Sequence, residues 1–97
     1  MATYVVLGQF TDQGIRTVKE TPQRASQFAE MAKNFGCEVK DVYWTLGEYD
    51  IVALVEAGDE QGFAAFGFAF GAAGNVRTQT LRAFTRHELA GILDKVP

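Results

Sequence analysis

Apolar positions fall in short blocks whose spacing changes along the chain. Thr3 to Phe10 is dense in β-branched and aromatic residues and runs into Thr11-Asp12-Gln13-Gly14, a cluster of turn formers, which predicts a strand and then a turn. Thr21 precedes Pro22, a pairing that predicts a helix with Thr21 as N-cap and proline at the first helical position. Ala25, Phe28, Ala29, Ala32 and Phe35 recur at intervals of three and four and form one apolar stripe, and Gly36 is placed to end the helix. The blocks "CEVKDVYWTL" and "YDIVALVEA" read as two further strands. Asp59 is positioned to cap a second helix through "FAAFGFAFGAA", in which Phe63, Phe66 and Phe70 share a face. Gly62, Gly67 and Gly71 weaken its intrinsic helicity and are expected to let it approach the sheet closely. "NVRTQTLRAFT" is the fourth strand, and Thr85-Arg86-His87-Glu88 is a capping-box pattern that predicts a short terminal helix through Leu89, Ile92 and Leu93.

The element order is β-α-β-β-α-β. With right-handed crossovers it predicts an α+β, ferredoxin-like domain over residues 1–97: an antiparallel sheet in order 4-1-3-2 with both helices on one face and the terminal helix as an appendage. The central hairpin carries Gly47-Glu48-Tyr49-Asp50, and two residues separate Leu46 from Tyr49, which suits a type II′ turn with glycine first. In that register Trp44 lies opposite Ile51 and Val42 opposite Ala53. Val42, Trp44, Leu46, Tyr49, Ile51, Ala53 and Val55 then form the face beneath the helices. The other face carries Asp41, Tyr43, Thr45, Asp50, Val52, Leu54 and Glu56, more apolar than a solvated sheet face requires, so it is expected to bury itself against a second copy of the chain.

Composition narrows the function classes. A chain of 97 residues that is 47% hydrophobic and 22% charged has the make-up of one folded domain. A net charge of -3 gives no long-range attraction to phosphate backbones or anionic lipid, so nucleic acid and membranes are not expected partners. The open-face strands also lack the basic and aromatic residues of an RNA-recognition sheet. Cys37 is the single cysteine, which suits a reducing, cytoplasmic setting, and the first ten residues lack signal-peptide character. The run "FAAFGFAFGAAG" is too short and glycine-rich to span a membrane. With no phosphate loop, no cysteine and histidine cluster at metal spacing and no serine elbow, neither cofactor nor metal is expected.

The blocks "FTDQGIRTVKETPQRA", "YWTLGEYDIVALVEA" and "GNVRTQTLRAFT", with Gly47, Tyr49 and Asp50 interrupted by Glu48, resemble those of the GYD domain family over nearly the whole chain. The resemblance implies a subunit of the dimeric α+β barrel type. It implies no established activity and hands down no catalytic residue.

The predicted topology brings the end of the first strand, the start of the first helix, the hairpin and the turn into the fourth strand to one end of the sheet. Gln13, Arg16, Lys19, Glu48, Tyr49, Asp50, Asn75 and Arg77 are thereby gathered. A ligand site there would use Arg16 or Arg77 as clamp for an anionic or carbonyl-bearing small molecule, with Tyr49 and Asp50 beside it and the helix N-terminus favouring negative charge. The plainer reading has Asp50 paired with an arginine or capping backbone amides. His87 reads as an exposed first-turn residue and Cys37 as a semi-buried one, not as haem ligand, base or nucleophile. The leading expectation is a homo-oligomeric domain that binds a small ligand or a partner. A small enzyme, haem-dependent or cofactor-independent, with its cavity enclosed by paired subunits, is the alternative, and a structural assembly module the second.

Overall fold

The computed structural model describes all 97 residues, Met1–Pro97. Its elements are β1 (Ala2–Phe10), α1 (Asp12–Arg16), a 3-10 turn at Val18–Glu20, α2 (Thr21–Lys33), β2 (Cys37–Trp44), β3 (Ile51–Ala57), α3 (Glu60–Ala72), β4 (Val76–Ala83) and α4 (Arg86–Leu93). The sheet order β2-β3-β1-β4 is the expected 4-1-3-2 read from the other edge, and every pairing is antiparallel.

Two helix starts differ from the sequence expectation. Thr11 opens a helix, not a turn: its hydroxyl accepts the Gly14 N–H at 3.1 Å and donates to the Gly74 carbonyl at 2.6 Å, so one side chain caps α1 and ties it to the turn before β4. Gly14 permits the contact, since a Cβ there would lie 2.0 Å from the Asn75 carbonyl oxygen. Thr21 is not the cap of α2. The 3-10 turn feeds straight into the helix, Glu20 takes the N-cap position with helical dihedrals, and the Thr21 hydroxyl instead accepts the Trp44 indole N–H at 3.1 Å. The Asp59 cap of α3 and the capping box of α4 form as expected, with Asp59 accepting from Gly62 and Thr85 and Glu88 bonding reciprocally.

The β2–β3 register places Trp44 opposite Ile51 and Val42 opposite Ala53, as the pattern predicts. A bulge between Val39 and Asp41 inserts one extra residue, so Val39 before it and Val42 after it both face the helices. The core joins Tyr4, Phe28, Ala32, Cys37, Ala53, Val55, Ala57 and Phe66. Phe28 packs on Phe66 and Phe70 with ring centroids 4.7 Å and 4.6 Å apart, and Tyr4 stacks on Phe63 at 4.0 Å. Such aromatic pairs stabilise by about 0.5–1.5 kcal/mol each beyond burial alone. The glycines of α3 act differently from expectation. Gly62 is pressed on the Phe35 carbonyl, where a Cβ would sit at 2.5 Å, while a Cβ on Gly67 or Gly71 would meet nothing within 4 Å.

Candidate functional site

At the hairpin end of the sheet, Gln13, Asp50 and Arg77 border one depression, and hydrogen bonds to Gln9 and Gln13 hold Glu48 and Asn75 beside it. The hairpin is wider than a two-residue turn: Thr45 N–H donates to the Asp50 carbonyl at 2.8 Å and its hydroxyl to the Tyr49 carbonyl at 2.6 Å, leaving Leu46–Tyr49 as the loop. Gly47 takes φ +106° in it, a region closed to β-branched residues. Asp50 is the reason the ladder stops early. Its N–H donates to the Gly8 carbonyl at 2.8 Å, and its carboxylate accepts the Phe10 N–H at 2.9 Å, so the loop is stitched to β1 instead of extending the hairpin.

This re-aims two side chains. Tyr49 lies on the open face of the sheet, its hydroxyl donating to Gln79 Oε1 at 2.5 Å, and Leu46 stands fully in solvent; neither joins the face beneath the helices. Asp50 caps a backbone amide and forms no ion pair, while Arg77 borders the same shallow depression as Asp50, Gln9 and Thr11. Arg16 ends α1 with its side chain exposed and lies outside that depression. Gln13 bridges to the Ala73 carbonyl and to Asn75, and Gln9 to the Glu48 carbonyl. Most polar groups at this end therefore serve to hold loops together.

Sequence reasoning missed Arg24. Its guanidinium donates to the Thr17 hydroxyl at 2.8 Å and to the carbonyls of Thr17 and Gly14, each at 3.2 Å, locking α1 and the 3-10 turn to α2. An arginine on an otherwise ordinary helix face carries no pattern that reveals such a role. Burial pushes the Cys37 thiol above its ordinary value, with the Asp59 carboxylate adding to the effect, which leaves little nucleophilic thiolate. His87 is exposed in the first turn of α4. No three histidine, cysteine, aspartate or glutamate side chains converge in a metal-binding group, and no helix is long and apolar enough to cross a membrane.

The larger feature is the open face. Val5, Leu7, Val52 and Leu54 form its centre and are partly exposed, and Tyr43 and Leu81 flank them at 55% and 44% exposure. Beyond β4, α4 buries no residue and presents Leu89, Ile92 and Leu93 to solvent.

Comparison with known proteins places this architecture. The chain is 37% identical over 84 residues to a Thermus thermophilus protein named glutamine synthetase and cystathionine beta-lyase binding protein, an alignment covering 86% of this chain and 88% of that one. A solved Thermus thermophilus structure superposes with a TM-score of 0.57 at 28% identity, covering 88% of this chain and 95% of the other. The crystal structure of an FFRP protein shares the fold with a TM-score of 0.64 at 21% identity, over 87% of this chain and all (100%) of that one. The GYD domain model matches residues 4–93, and the chain belongs to the GYD domain family.

Proposed function

We propose that this chain is a self-associating protein-binding module of the cytoplasm, whose partners are metabolic enzymes. The observation that carries the reading is the open sheet face, where Val5, Leu7, Val52, Leu54 and Leu81 form a continuous apolar patch of the kind that marks protein interfaces. A second copy is its economical cover, because two-fold association buries the patch on both subunits without leaving a new one. The name of the 37% identical relative supports the class of partner. Assembly then frees the helix-covered side, the hairpin end and the sheet edges to contact enzymes.

The test is a direct titration. The purified chain is passed over immobilised glutamine synthetase and cystathionine β-lyase from its own organism, in interferometry at physiological salt. Saturable binding to at least one of them is expected; absence of binding to both overturns the reading.

A further inference from the structure

An apolar cavity of about 40 Å³ lies between the helix layer and the sheet, near the start of α2. Val6, Val42, Ile51 and Val76 of the sheet and Phe28 and Phe70 of the helices build its wall. Gly8 keeps one corner of it open: a Cβ there would lie 2.8 Å from Val76 Cγ1 and 3.7 Å from Ile51 Cβ, both on that wall. The space has room for about three water-sized groups but offers water few polar partners, so it suits an aliphatic group of that size.

The polar side chains on this cavity are Thr21, Arg24 and Thr78, and no acidic residue lines it. Arg24 also borders the neighbouring depression of Gln13, Gln23, Gln27 and Asn75, and therefore stands where the apolar space meets a polar surface. Glu20 borders that depression too, but no carboxylate comes within ion-pairing distance of Arg24. The guanidinium spends its bonds on Thr17 and Gly14, from Nη1 and Nη2, which leaves Nε–H and one N–H on Nη2 without a protein partner. Two such donors on one planar group match a carboxylate. The Thr21 hydroxyl accepts from Trp44 and keeps its own proton to donate.

We infer that this cavity is a binding site for a short aliphatic carboxylate, its tail enclosed by the valine, isoleucine and phenylalanine wall and its head held by Arg24. The class of ligand follows from the pairing of a small dry space with a half-buried arginine that has no counter-ion. The site lies on the helix side of the sheet, so a second copy on the open face leaves it uncovered, and the inference stands apart from the partner-binding reading.

Titration of the labelled chain with sodium acetate, propanoate, butanoate and pentanoate, followed by amide NMR shifts at neutral pH, tests it. Affinity is expected to rise about four-fold for each methylene buried, from acetate to butanoate, and to level off at pentanoate once the space is full. Butanamide, which has the same tail without the charge, is expected to bind at least about ten-fold more weakly. Ala53→Val fills the cavity from β3 with a residue that strands favour, and is expected to keep the melting temperature while abolishing butanoate binding. Arg24→Gln is expected to weaken butanoate to the level of butanamide; because Arg24 also ties α1 to α2, a folding defect there leaves Ala53→Val to decide. Acetate binding as tightly as butanoate would reduce the site to a surface arginine meeting any anion, and would overturn the inference. Equal affinity for butanamide, unchanged binding by a folded Ala53→Val variant, or no saturable shift of the cavity amides with any acid would each overturn it as well.

Discussion

Asp50 is the residue on which the hairpin end depends. Its carboxylate is the acceptor for the partly buried Phe10 N–H. Asp50→Asn retains an acceptor oxygen and is expected to lower the melting temperature only slightly, whereas Asp50→Ala strands the amide at a cost of about 1–3 kcal/mol. Equal losses for the two variants in denaturant titration would mean that the charge, not the hydrogen bond, is what matters. Gly47 and Gly14 answer to different constraints. Gly47→Val meets open space but must hold φ +106°, and Gly14→Ala keeps an ordinary backbone but collides with Asn75. Each is expected to cost more than about 1 kcal/mol, and a Gly47→Val variant as stable as wild type would remove the turn argument. The sequence marks Gly47 and Asp50 as special through their position between two strands. It does not reveal whether Asp50 bonds an arginine or an amide, because that choice is made by where β1 ends, forty residues away.

At the level of elements, the strands, α2 and α3 are legible because their apolar periods are long and uncontradicted. Capping logic works where the side chain has no rival, as at Asp59 and Thr85, and fails at Thr21, whose hydroxyl serves Trp44. The bulge at Lys40 and the short α1 escape pattern reading, since one shifts the alternation by a single residue and the other is held by Thr11 and Arg24 contacts to distant chain. α4 is the element with least support. It has eight residues, below the length at which an isolated helix is stable, and is held by its capping box and the Arg82–Glu88 ion pair at 3.7 Å. The Thr85 N–H bond, with Arg82 nearby, lowers the Glu88 carboxyl below its ordinary 4.5. A depressed carboxyl stabilises the folded form above that value, and its contribution is lost as pH falls through the lowered one. Acidification past 4.5 should therefore fray α4 before the sheet melts, seen as early exchange of its amides. Thr85→Ala should do the same at neutral pH, costing α4 about 1 kcal/mol. Synchronous loss of α4 and the sheet in acid would contradict a weakly held arm.

For the whole molecule, surface area is the informative quantity. A compact monomer of 10.6 kDa should expose about 5,500 Å². This chain exposes 6676 Å², an excess of about 1,200 Å², and its radius of gyration of 14.6 Å exceeds the roughly 12.5 Å of a compact domain this long. Only 11 of 97 residues are buried, so the shortfall in burial is spread over the open face and α4. The excess is larger than the roughly 800 Å² that each partner of a standard interface buries. The apolar open face was visible in the strand alternation. The scale of the uncovered surface was not, because it depends on how far α4 projects and how little of β4 the helices cover. The most direct measurement is sedimentation equilibrium at micromolar concentration, on the wild-type chain and on Leu54→Glu, with circular dichroism recorded on both. The account predicts a wild-type mass of at least two chains and a Leu54→Glu mass of one, with helical content preserved. A monomeric wild-type chain, or an assembly indifferent to a charge at Leu54, would contradict it.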